Sequence, residues 1–309
     1  MGAGFAAQGL LQPAVPKAEA DLLDALIAQP HAPSGSGGTT ISQGRADAPQ
    51  DVRGLQAQRA PGGNGMADPG AGPEVPLEIR VALLKLSPSP RFSASGPWQL
   101  SDRDGRVLQR GAGGETADVG SQLASAAEVW LETGSEGHLL ADGRPYAGRF
   151  RVLRAADGVQ VVNHLPLESY IASVVGGEMP SSWNIEALRA QAVAARSYAM
   201  AHMARPADAH WHLGDTTRWQ NYTGLEAVSA PTREATASTA GVILSYQGGI
   251  VESLYAATQQ IVDEAHGHLG ASMSQTGAQE LAQQGLRYNE ILGRYYQGAS
   301  LARLQAGAG

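Results

Sequence analysis

The clearest helical pattern along the chain runs from residue 185 to residue 203. One face of it is formed by apolar residues at spacings of three and four: Ile185, Leu188, Ala192, Ala195 and Ala199. Asn184 is a suitable N-cap, and Glu186 lies in the first turn, where a negative charge interacts favourably with the helix dipole. The pattern predicts a helix whose alanine-rich face lets another element approach closely.

A second helical pattern, Leu167 to Val175, comes shortly before it, and an acidic residue stands between the two. Glu178 follows a pair of glycines and precedes a Met-Pro dipeptide. Glycine allows sharp backbone turns, and Pro180 disfavours the helical conformation in the residue before it. The sequence therefore predicts that Glu178 lies on a loop held between two rigid elements.

The part of the chain from 77 to 162 has the pattern of short strands separated by Asp-Gly and Gly-Gly turns. The candidate strands are Ile79–Leu84, Trp98–Leu100, Val107–Leu108, Val129–Thr133 and a hairpin from Tyr146 to Val162. Asp157-Gly158 is the expected turn of that hairpin. This part contains no recognisable catalytic constellation.

The pattern changes again after residue 240. A second hairpin is predicted from Gly241 to Tyr255, and two helices are predicted over 277–284 and 288–296. The predicted class is α+β, with a β-rich part (77–162) packed with a mixed helix and hairpin part (163–304), then a tail (305–309). Residues 1–76 are dominated by Pro, Gly, Ala, Ser and Gln and are predicted to be a disordered linker, with a short transient helix over 18–28.

Composition excludes several kinds of function. The 309 residues carry a net charge of -7 and no basic stripe, so nucleic acid is not an expected partner. No apolar run is long enough to span a bilayer. The absence of cysteine excludes disulfides, thiol catalysis and cysteine-ligated metal. Residues 1–20 have no positively charged region ahead of their apolar stretch, so no clear secretory signal is predicted.

Over roughly residues 145 to 304, the chain resembles the SpoIID/LytB family of cell-wall proteins, because several motifs occur in the same order as in that family. The motifs are Leu165–Tyr170, Glu178–Trp183, Glu186–Tyr198, Asp215-Thr216, Gln220 with Tyr222 and Gly224, Met273–Ala278 and Tyr288–Gly298. The chain departs from the family after the second hairpin. The family's Ser-Gly-Gly turn and long insert are missing there, and Tyr255–Thr258 leads directly towards His266-Gly267-His268.

The resemblance implies lytic transglycosylase activity on peptidoglycan glycan strands, with the family's catalytic glutamate at Glu178. It also implies a location in the cell envelope, the periplasm or outside the cell. In the sporulation branch the enzymes act on strands already stripped of stem peptides by an amidase. In the LytB branch the proteins are described as enhancers of an N-acetylmuramoyl-L-alanine amidase, which makes such an amidase a candidate partner.

A single carboxyl group can perform this reaction. It donates a proton to the leaving oxygen and then withdraws one from the 6-hydroxyl group of the sugar, which closes an anhydro ring; ordinary glycosidases use two carboxylates. Such an acid must be protonated near neutral pH, which requires partial burial among apolar groups. Val174, Val175, Met179 and Trp183 are the expected neighbours.

The remaining candidate site residues are predicted to bind substrate: Trp183, Arg189, Gln191, Arg196, Tyr198, Asp215, Gln220, Tyr222, Ser274 and Gln275. Trp211 and Trp219 are further candidates for stacking on sugar rings. Each type has a structural alternative: aromatic residues in the core, arginines in ion pairs, and Asp215 and Gln220 in ordinary loop hydrogen bonds. His266 and His268 lack a third ligand at helical spacing, so neither a metal nor another cofactor is predicted.

The sequence leaves three functions to be distinguished. The first is a lytic transglycosylase that uses Glu178. The second is a glycan-binding protein that enhances a cell-wall amidase without cutting, which the missing insert favours. The third is a hydrolase that pairs Glu178 with Asp215 or Glu226.

Overall fold

The computed structural model describes residues 65–72, 75–266 and 271–305. Its largest sheet has seven strands in the order β10-β1-β9-β8-β5-β3-β4. The strands are β1 (Glu78–Ala82), β3 (Trp98–Ser101), β4 (Val107–Gly111), β5 (Glu128–Thr133), β8 (Arg149–Ala155), β9 (Gly158–Pro166) and β10 (Leu213–Gly214). All neighbours are antiparallel except β1 and β10, which run parallel.

Smaller elements complete the β-rich part. A three-stranded sheet is formed by β2 (Phe92–Ala94), β6 (Leu139–Ala141) and β7 (Arg144–Tyr146), and helix α1 spans Val119–Ser125. Residues alternate across the large sheet: in β1, Ile79 and Val81 are fully buried, whereas Glu78 and Arg80 lie on the opposite face. The buried face therefore contributes to the core, and the other face carries charged side chains.

Helix α2 (Leu167–Glu178) follows β9 directly, and helix α3 (Ile185–Ala204) follows α2. The predicted cap of α3 is confirmed, because the Asn184 side chain accepts a hydrogen bond from the Glu186 N–H. The prediction that α3 has one apolar face is too narrow, because the helix is buried on most of its sides. Fifteen of the twenty residues of α3 are buried, since α2, α4 (Ala230–Ser238), α6 (Gln275–Gln283), α7 (Tyr288–Tyr295) and β11 (Val242–Tyr246) all pack against it.

The second predicted hairpin is shorter than expected. β11 pairs with β12 (Gly249–Ile250) around a turn in which Gln247 and Gly248 both have positive φ. The chain then leaves the hairpin: β13 (Leu254–Ala256) pairs in parallel with β14 (Ser272–Ser274). Helix α5 (Gln259–Ile261) and a π-helical turn (Val262–His266) lie between these strands. The other edge of β11 is covered by a strand that the pattern did not predict, β15 (Ser300–Arg303).

The described part of the predicted linker packs against the end of the chain. Met66 is buried and exchanges two hydrogen bonds with Asn289, and the Tyr288 hydroxyl donates to Asp68 at 2.7 Å. The prediction of disorder for residues 1–64 and the predicted helix over 18–28 lie outside the described residues. The α+β class is confirmed. No helix in the described ranges has the length and apolar character needed to cross a membrane.

Candidate functional site

Glu178 is the last residue of helix α2 and not part of a loop, which corrects the prediction. The helix ends there because Met179, which precedes Pro180, is extended, with φ -130° and ψ 143°. The two preceding glycines are helical and serve close packing. A Cβ atom on Gly176 would come within 1.9 Å of the Ala227 carbonyl oxygen. The glycine pair therefore lets the chain from 221 to 227 approach the C-terminal turn of α2.

The Glu178 side chain is half-buried, and two neutral donors hold it. Its Oε1 accepts the backbone N–H of Asn221 at 2.9 Å, and its Oε2 accepts the side-chain amide of Gln275 at 3.1 Å. Within the part of the chain that the structure describes, Glu178 has no ion pair with a basic side chain. The carboxyl group is thus fixed in direction by two segments that are distant from it in sequence.

Asn221 is a site residue that the sequence reasoning missed. Besides its backbone contact to Glu178, its side-chain amide donates to the Gly177 carbonyl oxygen at 2.7 Å. This satisfies one of the carbonyl groups that lack an intrahelical partner at a helix C-terminus. The sequence did contain one indication of this role. Asn221 lies between Gln220 and Tyr222 in a polar loop, and asparagine side chains in loops often hydrogen-bond to nearby backbone groups.

A second hydrogen-bonded group adjoins Glu178 and includes the predicted residue Gln220. The Tyr170 hydroxyl donates to Gln220 Oε1 at 2.8 Å, and Gln220 Nε2 donates to the Tyr255 hydroxyl at 2.8 Å and to the Ala195 carbonyl oxygen at 3.1 Å. Burial raises the pKa of Tyr170 and of Tyr255 well above the usual value, and the negative charge of Glu178 acts in the same direction. Both phenols are therefore neutral hydrogen-bonding groups.

Tyr255 was also missed, because the pattern assigned it to a hairpin. The parallel pairing of β13 with β14 places Tyr255 opposite Met273 and Ala256 opposite Ser274. Gln275 follows directly, as the first residue of α6. The strand pair thus brings two polar side chains of the C-terminal part to the end of α2.

Arg196 has a structural role and does not contact the Glu178 group, which corrects its assignment to substrate binding. Its guanidinium is fully buried and forms a bidentate ion pair with Glu168, at 2.9 Å and 2.6 Å. It also donates to the carbonyl oxygens of Val242 and Thr236. With every surface covered, Arg196 joins α2, α3, α4 and β11 inside the core.

Two other predicted residues make contacts within the fold, and a third is buried. Arg189 pairs with Glu186 at 2.5 Å and donates to Ser238 at 2.9 Å, which links α3 to α4. Ser274 is the N-cap of α6 and accepts the Gly277 N–H at 3.1 Å. Gln191 is fully buried in α3, and neither polar atom of its side chain has a hydrogen-bond partner.

The structure also buries Tyr222, Tyr198 and Asp215. The Tyr222 hydroxyl donates to Asn163 at 2.6 Å, and its ring packs between Tyr146 and Tyr170. Burial raises the pKa of Tyr198 to about 12. Burial also raises the pKa of Asp215, which is 1% exposed and accepts the Leu84 N–H at 2.9 Å. None of the three offers a free surface for stacking on or binding a sugar.

Aromatic side chains with partial exposure lie on the Asn221 side of the site. Trp219 and Trp211 make an edge contact at 5.5 Å, and the Arg218 guanidinium lies 5.0 Å above the Trp219 ring. Lys85, in the turn that follows β1, reaches the Asn221 side-chain oxygen at 3.4 Å. Trp183 is half-buried and lies in the turn that follows α2. Its backbone N–H donates to the Pro180 carbonyl oxygen.

No cluster of three or more metal-ligating side chains occurs among the described residues. The His266 and His268 side chains, named above as a metal-binding alternative, lie outside the part of the structure that can be described. The described site therefore consists of hydrogen-bonding and carboxyl groups.

Comparison with known proteins identifies the central segment. Residues 155–246 match the family model described as stage II sporulation protein, SpoIID. An uncharacterized protein of Brachyspira hyodysenteriae (strain ATCC 49526 / WA1) is 35% identical over 117 residues, which are 38% of this chain and 32% of that protein. The stage II sporulation protein D of Bacillus subtilis (strain 168) is 33% identical over 114 residues, 32% of this chain and 33% of that protein.

A third relative is the amidase enhancer of Bacillus subtilis (strain 168), 32% identical over 102 residues, 33% of this chain and 14% of that protein. The chain thus matches about a third of the length of the first two relatives and 14% of the third. The matched segment contains α2 with Glu178, α3 and the loop that carries Asn221. The expected resemblance is confirmed: residues 155–246 match the SpoIID family model, and the stage II sporulation protein D of Bacillus subtilis (strain 168) is among the similar proteins.

Proposed function

We propose that the protein acts on the bacterial cell wall, in the cell envelope or outside the cell, as a peptidoglycan lytic transglycosylase in which Glu178 is the single general acid and base. The observation that carries this proposal is the hydrogen bonding of Glu178 by the Asn221 N–H and the Gln275 amide. Asn221 is fixed because its side chain caps α2, and Gln275 is fixed as the first residue of α6. These two donors hold the carboxyl in one direction without forming an ion pair with it. Such preorganisation is what acid–base catalysis requires.

The proposed chemistry uses one proton twice. The carboxyl of Glu178 gives its proton to the glycosidic oxygen as the bond from that oxygen to the anomeric carbon breaks. The resulting carboxylate then takes the proton of the 6-hydroxyl group of the same sugar, whose oxygen bonds to the anomeric carbon. The anhydro ring closes, the glutamic acid is restored, and no water enters the products.

The surroundings of Glu178 support this role in two further ways. Val174, Val175 and Met179, which lie within one helical turn of Glu178 in the chain, are buried apolar residues. Trp219, Arg218 and Lys85 lie beyond Asn221, where aromatic and cationic groups can bind a sugar chain that carries carboxylates.

The test is to incubate the protein with glycan strands free of stem peptides and to analyse the products by mass spectrometry. A transglycosylase yields anhydro-muramyl ends, each lighter by one water than the hydrolytic product. Glu178→Gln is expected to lower the rate by roughly 100-fold to 10,000-fold, because it removes the proton that the reaction uses. An unchanged rate in this variant would exclude Glu178 from the reaction.

Glu226→Gln is the matched control, since Glu226 is exposed and belongs to the same matched segment. We expect it to retain full activity. If Glu226→Gln loses activity and the unmodified protein forms products with reducing ends, the two-carboxylate hydrolase is supported instead. Asp215 is a poor second carboxylate for such an enzyme, because it is 1% exposed and bound to the backbone of residue 84.

The second candidate function is a glycan-binding protein that enhances a cell-wall amidase. The similarity to the amidase enhancer of Bacillus subtilis (strain 168) favours it. It predicts that intact strands co-sediment with the protein without being cut, and that the rate of an added N-acetylmuramoyl-L-alanine amidase rises. In that case Glu178→Gln would leave the stimulation unchanged.

A further inference from the structure

The hydroxyl group of Tyr255 carries a proton that the hydrogen bonds around Gln220 do not use. The Ala195 carbonyl oxygen can only accept a hydrogen bond, so the Gln220 amide must place its nitrogen, and not its oxygen, on that side, at 3.1 Å. The same nitrogen lies 2.8 Å from the Tyr255 hydroxyl oxygen. Because an amide nitrogen only donates, the Tyr255 oxygen is the acceptor in this contact.

Tyr255 differs in this respect from Tyr170, the other phenol of the group. The Tyr170 hydroxyl donates to Gln220 Oε1 at 2.8 Å, so its proton is bound inside the group. Among the residues that the structure describes, Gln220 is the hydrogen-bond partner of the Tyr255 hydroxyl, and this contact leaves the phenolic proton without an acceptor. A donor that is withdrawn from water and lacks an acceptor is costly, and a bound ligand with an acceptor atom would satisfy it.

Tyr255 and Glu178 are neighbours in the site, and both are partly exposed. The amides that hold them, Gln220 and Gln275, are 1% and 4% exposed. Burial raises the pKa of Tyr255 well above its usual value, and the charge of Glu178 adds to this effect, as a nearby carboxylate does. A ligand that reaches the Glu178 carboxyl therefore comes close to the Tyr255 hydroxyl.

The chemistry of this donor limits what it can contact. With its raised pKa the phenol stays protonated near neutral pH, so Tyr255 does not serve as a second base beside Glu178. It is uncharged, which suits an uncharged acceptor. The glycosidic, hydroxyl and acetamido oxygens of a glycan strand are acceptors of this kind.

We propose that Tyr255 is a further substrate-contacting residue, whose hydroxyl donates a hydrogen bond to a neutral oxygen of the sugar bound at Glu178. The identity of the substrate in this inference rests on the proposed function. The hydrogen bond orients the sugar, and the proton stays on the phenol. Glu178 remains the group that transfers a proton, and Gln220 holds the phenol oxygen in place.

The experiment measures equilibrium binding of fluorescently labelled, stem-peptide-free glycan strands to the full chain carrying Glu178→Gln, in which the strands stay intact. Adding Tyr255→Phe to this protein removes the hydroxyl and keeps the ring. Loss of one hydrogen bond between neutral groups predicts roughly 3-fold to 10-fold weaker binding. An unchanged affinity would overturn the proposal, and so would the absence of binding before Tyr255 is changed.

Tyr296→Phe is the matched control, since it makes the same change beside the same strand. The Tyr296 hydroxyl donates to the carbonyl oxygen of Leu254, the residue before Tyr255, at 2.6 Å, and the Tyr296 residue is 1% exposed. This variant should lower the thermal unfolding midpoint more than Tyr255→Phe does, because it removes a hydrogen bond that holds β13, and it should leave the affinity for glycan strands unchanged. Equal weakening of binding in the two variants would assign the effect to the position of β13 and contradict the contact.

Cleavage assays separate a failure of this inference from a failure of the proposed function. With Glu178 intact, we expect Tyr255→Phe to lower kcat/KM for strand cleavage by roughly 3-fold to 10-fold, with anhydro-muramyl ends still formed. Cleavage at an unchanged kcat/KM would contradict the role of Tyr255 and leave Glu178 as acid and base. If the unmodified protein binds the strands without cutting them, the transglycosylase proposal fails, and weaker binding in Tyr255→Phe still supports the contact.

Discussion

Helix α2 carries a glutamate at each end, and the two are held in opposite ways. Glu168, in the first turn, is bound by a fully buried guanidinium at 2.9 Å and 2.6 Å and by the Gly241 N–H at 3.1 Å. Glu178, at the last residue, is bound by two neutral amides and is half-buried. One carboxylate is neutralised in the core, whereas the other is only oriented.

The difference shows how to separate a structural acid from a chemical one. An ion pair between buried groups fixes the ionised form, because removing either partner leaves an uncompensated charge. Hydrogen bonds from neutral amides fix direction but leave the carboxyl able to exchange a proton with a third group. Glu178 would have lost its proposed role had it been the residue paired with arginine.

The largest effect on stability is expected at the Glu168 end. Arg196→Met keeps an unbranched apolar chain in place of the arginine stem but leaves the largely buried Glu168 without its partner, which should lower the free energy of unfolding by about 3–5 kcal/mol. Denaturant unfolding measures it. Glu178→Gln is the matched change at the other end and should cost less than about 1 kcal/mol, since no ion pair is broken.

A double variant sharpens this prediction. Glu168→Gln combined with Arg196→Met removes both charges and should recover part of the lost stability, because the uncompensated carboxylate is gone. If Arg196→Met alone unfolds at the same denaturant concentration as the unmodified chain, the ion pair has no structural role and the comparison fails.

The second effect concerns the glycines beside Glu178. Alanine normally favours a helix over glycine by about 1 kcal/mol, but a Cβ on Gly177 would lie 2.3 Å from the Asn221 carbonyl oxygen. We expect Gly177→Ala to lower the free energy of unfolding by about 1–3 kcal/mol through overpacking. It should also lower glycan cleavage, because Asn221 holds Glu178.

Gly176→Ala is the control for this variant. Its Cβ would meet the Ala227 carbonyl oxygen, so the cost in stability should be similar without a direct displacement of Asn221. If Gly176→Ala and Gly177→Ala have equal activities, the position of Asn221 does not matter for the reaction.

The two ends of α2 also show what could be predicted from the sequence. The helices α2, α3, α6 and α7, the cap at Asn184 and the strands β1, β3, β4, β5, β8, β9 and β11 follow from local patterns, and these predictions hold. The loop prediction for Glu178 failed because glycine has two uses, sharp turns and close packing. Only the later chain, with Ala227 and Asn221 against the helix, decides between them.

Non-local pairing explains the other differences. The hairpin from Tyr146 to Val162 turns at Ala156-Asp157 and not at Asp157-Gly158, because Ala155 pairs with Gly158, whose Cβ position is blocked by the Pro88 carbonyl oxygen. Likewise, β13 leaves the second hairpin to pair with β14. Gln275 was predicted from its motif, but Tyr255 and Asn221 reach the site through contacts that no local pattern contains.

A smaller effect is expected at Gln275. Gln275→Leu removes one of the two donors to Glu178 and should lower the free energy of unfolding by about 1 kcal/mol. Gln279→Leu is a matched change in the same helix, since the Gln279 side chain accepts the Asn184 N–H at 2.9 Å. We expect similar unfolding midpoints for both variants and a loss of glycan cleavage in Gln275→Leu alone. A loss of activity in both variants would mean that α6 as a whole, and not the contact to Glu178, is required.

The last prediction concerns the difference between the two tyrosines that bind Gln220. Tyr170 donates to Gln220 Oε1, whereas Tyr255 accepts from Gln220 Nε2, which keeps a second acceptor in the Ala195 carbonyl oxygen. Tyr170→Phe removes the hydroxyl donor to Gln220 Oε1 and should cost about 1–3 kcal/mol. Tyr255→Phe should cost less, because the Gln220 nitrogen loses one of its two hydrogen bonds and keeps the one to the Ala195 carbonyl oxygen. Denaturant unfolding of both variants measures the order. The reverse order would mean that the Gln220 amide is turned by half a rotation, so that its nitrogen faces Tyr170 and its oxygen accepts a hydrogen bond from the Tyr255 hydroxyl.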